Sequence, residues 1–188
     1  MKNLNRNQLC SVELSLTGKD PIIDDVFQIA ILPLLPNFEI NKNKPIFYLN
    51  IEAVNCRDRC GALTLAVHKE KVFSLFKKWF AALGLRDDKR LMPISYDWDV
   101  KIQFLKTIFW EAYYDYFSDV VRDITRASVV LDDAHYYSNG DYEYQKYYFS
   151  FVATRSGHTC HSSEDILTRA SRIPKIYKQL IIDTADLL

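Results

Sequence analysis

The 188-residue chain has few of the residues on which small disulfide-bonded or phosphate-loop proteins depend. It contains only five glycines, none of them clustered, which excludes a glycine-rich loop that cradles phosphate groups. Its four cysteines are too few and too scattered for a disulfide framework, so we expect reduced thiols. Lys and Arg together equal Asp and Glu at 24 each, so no overall positive field draws the chain to nucleic acid.

Long apolar runs are missing as well. The longest uncharged apolar stretch, residues 26–37, is far too short to span a bilayer, and residues 1–6 lack the apolar core of a signal peptide. We therefore expect a cytoplasmic protein with no membrane partner. With 48% hydrophobic and 14% aromatic side chains the chain can bury a full core, and no repeat or linker divides it. The prediction is a single domain over residues 1–188.

Apolar patterns along the chain predict an α/β fold with a mixed five-stranded sheet flanked by helices. Alternating or short apolar runs indicate strands at residues 9–14, 26–32, 45–51, 91–96 and 120–124, the first three forming a meander. Helical spacing indicates helices at residues 67–83 and from Asp97 or Asp99 to about residue 116. Two more are expected: one that follows the fifth strand and reaches residue 131, and one from near residue 163 to the end. Pro174 is expected to interrupt or bend the last helix.

Several short segments resemble the motifs of one enzyme family, in the right order and with similar spacing. Residues 13–18 read Glu-Leu-Ser-Leu-Thr-Gly and residues 27–30 read Phe-Gln-Ile-Ala. They resemble the Asp-x-Glu, Thr-Thr-Gly and Ile-x-Gln/Glu-Ile-Ala pattern of the DEDD (DnaQ-like) 3′ to 5′ exonucleases. Residues 91–105, 122–127 and 160–170 are similar to that family's later motifs. The resemblance implies a ribonuclease H-like fold of the exonuclease type.

The family's chemistry needs residues that this chain has in part replaced. Members hold two divalent ions, Mg²⁺ or Mn²⁺, with four carboxylates, because hard ions demand oxygen ligands. The resemblance places Glu13 and Ser15 at the two positions of the first strand and Lys101 at the third position. An ammonium group is a donor only and cannot ligate a cation. We therefore expect a degenerate site without a metal cofactor.

The closing motif leaves two alignments open. One puts Asp165 at the fourth ligand position and Cys160 at the position of the histidine that acts as general base. The other puts His161 at the base and Ile166 at the ligand, which loses the carboxylate. His158 lies two residues from the base position in the first alignment. Either alignment loses one of the two groups.

We expect Lys101 to occupy the place of the metal ions, with its charge balanced by Glu13 and Asp165 in a buried cluster. The opposing interpretation is that these side chains point into solvent in a collapsed groove. Other residues of the same motifs are candidates for binding rather than chemistry: Thr17, Tyr96, Asp97, Trp98 and His158.

Two functions follow from this reading. In the first, the protein is an exonuclease-like protein without catalysis that binds single-stranded nucleic acid, or a protein partner through the acidic, tyrosine-rich segment 132–149. In the second, it is an active exonuclease that binds Mg²⁺ or Mn²⁺ through a rearranged set, with His158 or His161 as base. That set would comprise Glu13, Asp97 or Asp99, and Asp165.

The composition also allows a zinc site, but the spacing of the residues does not favour it. Cys56 and Cys60, with the histidines and cysteine of residues 158–161, include the residue types that bind zinc. Their spacing is not that of a zinc knuckle, so we interpret these cysteines as ordinary thiols.

Overall fold

The computed structural model describes residues 7–53, 65–127 and 165–185 and contains a five-stranded mixed sheet. The strands lie in the order β3-β2-β1-β4-β5. They are β1 (Gln8–Leu16), β2 (Val26–Pro33), β3 (Phe47–Asn50), β4 (Leu91–Ser95) and β5 (Arg122–Asp123). β1, β2 and β3 pair antiparallel as the predicted meander, whereas β4 runs parallel to β1 and β5 parallel to β4. The predicted α/β class and five-stranded mixed sheet are confirmed.

The helices flank this sheet and follow the predicted order. They are α1 (Lys69–Ala82), α2 (Trp98–Phe109), a 3₁₀ turn (Trp110–Ala112), α3 (Tyr113–Tyr116) and α4 (Ile166–Ala185). α1 ends at Ala82, just before the predicted stop at Gly84, whose φ of 59° is left-handed and favours glycine. The helix predicted to reach residue 116 is divided, because Trp110 adopts a φ of 52° and ends α2. No helix in the described ranges is long and apolar enough to cross a bilayer.

β5 is shorter than the predicted strand at residues 120–124. Residues 124–127 are already helical, and the Asp123 carboxylate accepts the N–H of Thr125 at 2.9 Å. An aspartate that bonds the amide two residues later is a favoured helix N-cap. The cap therefore ends the strand at Asp123.

The two faces of β1 belong to different layers, since side chains alternate along a strand. Cys10, Val12 and Leu14 pack into the large core beneath α1, α2 and α3. Leu9 packs on the other face with an apolar stripe of α4 that includes Ile173. The next side chains on the α4 face are Ser11, Glu13 and Ser15. β4 pairs only with residues 8–11 of β1, so Glu13 lies beyond the end of that pairing.

α4 continues through Pro174, where an interruption or bend is predicted. A proline has no N–H, so it cannot bond the carbonyl four residues earlier, here that of Ala170. The Ser11 hydroxyl of β1 donates to the Ala170 carbonyl at 2.6 Å, and this bond is buried. The strand thus satisfies the carbonyl that the proline leaves without a helical partner. This contact fixes the first turns of α4 against β1.

Candidate functional site

Lys101 of α2 reaches across the end of β4 to Glu13 of β1. Its Nζ lies 2.5 Å from Glu13 Oε2 and 3.2 Å from Ser95 Oγ. Ser95 Oγ in turn donates to the Val12 carbonyl at 2.8 Å, which holds the end of β4 against β1. The side chains of Lys101 and Glu13 are only 8% and 12% exposed. The two charges therefore form a buried pair and do not point into solvent.

Arg169, in the first turn of α4, completes this group of side chains. Its Nη2 donates to Ser15 Oγ at 2.6 Å, and its Nε lies 3.9 Å from Glu13 Oε1. The Nε is buried and has no hydrogen-bond partner among the residues that the structure describes. We call Glu13, Ser15, Lys101 and Arg169 the cationic cluster, because it holds two positive side chains and one negative.

A row of hydrogen bonds ties the cationic cluster to the neighbouring strands. Ser15 Oγ donates to Gln28 Oε1 at 3.0 Å, and Gln28 Nε2 donates to Asn50 Oδ1 at 3.0 Å. The sheet register sets Ser15 opposite Gln28 and Gln28 opposite Asn50, so the three side chains share one face. Because the Ser15 hydroxyl gives its proton to Gln28, its oxygen is left to accept from Arg169.

The cationic cluster does not suit two divalent cations. Its formal charge is +1, and its only carboxylate is already bonded to an ammonium group. Within residues 7–53, 65–127 and 165–185, no three His, Cys, Asp or Glu side chains come together in a way that could hold a metal ion. The described residues therefore do not fit the pair of ions that the resemblance implies.

Asp165 lies at the start of α4 and is exposed. Its Oδ2 accepts the N–H of Thr168 at 3.0 Å, which is the geometry of an N-cap. In the described part of the chain it makes neither a hydrogen bond nor an ion pair with Lys101 or Glu13. The expectation that Asp165 balances the charge of Lys101 is therefore wrong. Capping turns its carboxylate toward the helix start, and Arg169, one turn later, contacts Glu13 instead.

Asp97 and Asp99, the carboxylates of the rearranged set, are engaged with residues that follow β5. Asp97 has a left-handed φ of 51°, and its Oδ1 accepts from the hydroxyl of Thr125 at 3.1 Å. Asp99 accepts from Arg126 Nη2 through both oxygens, at 2.7 and 2.8 Å, in an exposed pair. The structure thus uses both carboxylates to join α2 to the start of the next helix.

Thr17 and Trp98, two candidate binding residues, are held within the fold. Thr17 Oγ1 accepts the N–H of Asp25 at 2.8 Å and donates to Asp24 at 3.2 Å, which closes the turn after β1. Trp98 is 4% exposed in the core, and its backbone N–H donates to Asp123 Oδ2 at 3.1 Å. These contacts show that both residues stabilise the fold locally.

Tyr96 is partly buried, and the remaining candidates lie elsewhere. Tyr96 packs against the apolar cluster beneath α4. Several predicted site residues fall outside the described residues, and their roles stay predictions: His158, Cys160, His161, segment 132–149, and Cys56 with Cys60.

Cys10 is a fully buried thiol on the opposite face of β1 from the cationic cluster. Burial raises the pKa of this thiol far above its ordinary value of 9.0, because the thiolate would lose its hydration. The group therefore stays neutral in the folded protein. It has no thiolate with which to act as a nucleophile.

Arg169 is the one member of the cationic cluster that the sequence patterns do not identify. It lies within the closing motif, but the resemblance implies a ligand at Asp165 and none at Arg169. Helical spacing does contain a signal, since Ile166, Arg169, Ala170 and Ile173 fall on one face. A single charged residue within an otherwise buried apolar stripe calls for a counter-ion.

Comparison with known proteins finds similarity in structure and none in sequence. No family model matches the chain, and no curated protein matches it. Cell-death related nuclease 4 is similar with a TM-score of 0.65 at 17% identity, over 94% of this chain and 64% of that one. E. coli exonuclease I in complex with a dT13 oligonucleotide has a TM-score of 0.65 at 11% identity, over 97% and 42%.

A third similar structure is that of a 3′-exonuclease described in 3′-end-specific recognition of the histone mRNA stem-loop. Its TM-score is 0.59 at 12% identity, over 95% of this chain and 84% of that one. The chain spans less than half of exonuclease I and 64% of cell-death related nuclease 4. At these identities the likeness shows the fold alone, the mixed five-stranded sheet flanked by helices that this chain shares with these nucleases.

Proposed function

We propose that this protein uses an exonuclease fold to bind and does not hydrolyse phosphodiesters. The observation that carries the proposal is the 2.5 Å contact of Lys101 Nζ with Glu13 Oε2. Two-metal hydrolysis needs free carboxylates that bridge both ions and activate a water molecule. Here the carboxylate of the first strand is bonded to an ammonium group, and Ser15 offers a neutral oxygen at the next position.

Electrostatics support the same conclusion. A unit charge 4 Å from Lys101 interacts by about 4 kcal/mol at an effective dielectric of 20, and a divalent ion by about twice that. Among the described residues Glu13 offsets one of the two cations, and the charge of Arg169 remains as a repulsion for a divalent ion. The local field thus disfavours Mg²⁺ and Mn²⁺, so the proposed function involves no metal cofactor.

The alternative, an active exonuclease with a rearranged carboxylate set, has no support from the described contacts. Asp97, Asp99 and Asp165 bond to Thr125, Arg126 and Thr168 respectively. Each of these contacts serves the local fold. We therefore favour a protein without nuclease activity.

Single-stranded nucleic acid is the ligand that we propose. E. coli exonuclease I, which shares the fold, is known in complex with a dT13 oligonucleotide. In this chain the cationic cluster carries two positive side chains, Lys101 and Arg169, which attract phosphate groups. A protein ligand that binds through segment 132–149 is the competing outcome, and it would leave oligonucleotides unbound.

Incubation of labelled single-stranded DNA and RNA with Mg²⁺ or Mn²⁺ tests the absence of hydrolysis. The wild-type chain, Glu13→Ala and Asp165→Ala are compared for shortening of the 3′ end. We expect no metal-dependent trimming by any of the three. Trimming by the wild type that both substitutions abolish would establish the active alternative and overturn the proposal.

A further inference from the structure

We propose that the cationic cluster is a phosphate site that works without metal, and that Glu13 acts in it as an internal competitor of the ligand. This inference rests on the proposed function and deepens it. Its chemistry is that of charge-assisted hydrogen bonds from arginine and lysine to a phosphate group. In the metal enzymes of this fold, divalent ions would stand between the carboxylates and the phosphate; here amino acid side chains bind it directly.

Arg169 has the donors that such a site requires. A guanidinium carries five N–H donors, and the described residues accept one hydrogen bond from it, at Ser15 Oγ. Its contact with Glu13, at 3.9 Å, is an ion pair too long for a hydrogen bond. Among the described residues Arg169 therefore has unused donors, which match the planar, forked geometry that phosphate oxygens accept.

Accessibility also favours Arg169 as the direct ligand. Its side chain is 21% exposed, against 8% for Lys101 and 12% for Glu13. A phosphate group that approaches from solvent thus meets the guanidinium first, and the ammonium adds positive potential from behind. Ser15 is a positioning residue, since it accepts from Arg169 Nη2 and is itself held by Gln28.

Glu13 occupies the place of an anion beside both cations. Its carboxylate bonds Lys101 and lies close to Arg169, so an incoming phosphate group is repelled by it and shares its partners. Removal of this negative charge raises the formal charge of the cluster from +1 to +2. Glu13→Gln is therefore expected to strengthen phosphate binding. In a metal-dependent site the same substitution would remove a metal ligand and weaken binding.

Fluorescence anisotropy of a labelled single-stranded dT10 oligonucleotide in EDTA measures this effect. The oligonucleotide is used with a 3′-hydroxyl and with a 3′-phosphate, and inorganic phosphate serves as competitor. These arms separate a terminal phosphate monoester from the diester backbone. We expect binding in EDTA that Mg²⁺ does not increase, and weakening at high salt.

The variants supply the decisive comparison. Arg169→Ala is expected to weaken binding about tenfold or more, and Glu13→Gln to tighten it roughly tenfold. Arg126→Ala is the matched control, because it removes the same charge from an exposed ion pair away from the cluster. It is expected to change affinity less than about twofold. Arg169→Lys, which keeps the charge without the fork, should be intermediate.

Three results would overturn the inference: no binding in EDTA, equal affinities for Arg169→Ala and Arg126→Ala, or weaker binding by a folded Glu13→Gln variant. If Glu13→Gln fails to fold, the comparison of Arg169→Ala with Arg169→Lys and Arg126→Ala decides the matter. The nuclease assay distinguishes failure of the phosphate site from failure of the proposed function. Absence of both trimming and oligonucleotide binding refutes the phosphate site and nucleic acid as the ligand, but leaves a binding protein without hydrolysis. Metal-dependent trimming refutes the proposed function itself.

Discussion

The bond between Ser11 and Ala170 allows a test of how α4 is fixed beside the cationic cluster. The Ala170 carbonyl has no N–H four residues later to accept from, because residue 174 is a proline, and it accepts from the buried Ser11 hydroxyl at 2.6 Å. Ser11→Ala removes this buried hydrogen bond from the Ala170 carbonyl. The expected loss in the free energy of unfolding is about 1–3 kcal/mol. Pro174→Ala restores the backbone N–H that can bond the carbonyl within the helix.

A double-mutant cycle measures this dependence by urea denaturation. In the Pro174→Ala background, Ser11→Ala is expected to cost about 1 kcal/mol less than in the wild type, because the new N–H replaces the hydroxyl. Ser171→Ala is the matched control: its hydroxyl donates to the Thr168 carbonyl on the exposed side of α4, and its loss should cost under about 0.5 kcal/mol. Equal costs of Ser11→Ala in both backgrounds would refute the reasoning.

Three further predictions concern charge and ionisation. Glu13→Gln leaves Lys101 and Arg169 without their carboxylate and should lower the free energy of unfolding, measured by urea denaturation, by about 3–5 kcal/mol. Lys101→Met should lower it less, because Glu13 keeps Arg169 as a partner. Equal losses would contradict this prediction. Joint substitution Lys101→Asp and Ser15→Glu should create Mn²⁺ binding detectable by titration calorimetry, and no heat of binding would count against the assigned positions. In the folded protein burial keeps the Cys10 thiol neutral, whereas in the unfolded chain this thiol ionises above pH 9.0. The free energy of unfolding of the wild type should therefore fall above that pH, by up to about 1.4 kcal/mol per pH unit more than that of Cys10→Ala. Parallel pH profiles of the two proteins would refute the last point.

Much of the fold could be predicted from the sequence because the local signals agree with the tertiary structure. Apolar alternation identified β1 and β2, and three- and four-residue spacing with Gly84 identified α1. Errors occur where a single residue ends an element. Trp110 ends α2 through the positive φ of its backbone, and Asp123 ends β5 by capping the residues that follow. Neither event has a periodic signature in the sequence.

The candidate site could be predicted only in part, because one of its contacts depends on tertiary structure. The resemblance aligned Lys101 with a ligand position, and the structure brings that lysine to Glu13. The second partner could not be read from spacing, since Asp165 and Arg169 are four residues apart and lie on similar faces of a helix. Which of them faces β1 depends on where α4 starts and on the Ser11 contact with Ala170. Both are tertiary features.

We propose that the side-chain cations Lys101 and Arg169 stand where the resemblance to the DEDD exonucleases implies divalent ions. A crystal structure of the protein soaked in Mn²⁺ tests it most directly, through the anomalous signal of the metal. We predict no manganese at Glu13, with the Lys101 ammonium still bonded to its carboxylate. Two manganese ions bridged by Glu13 and Asp165, with the lysine displaced into solvent, would contradict the account.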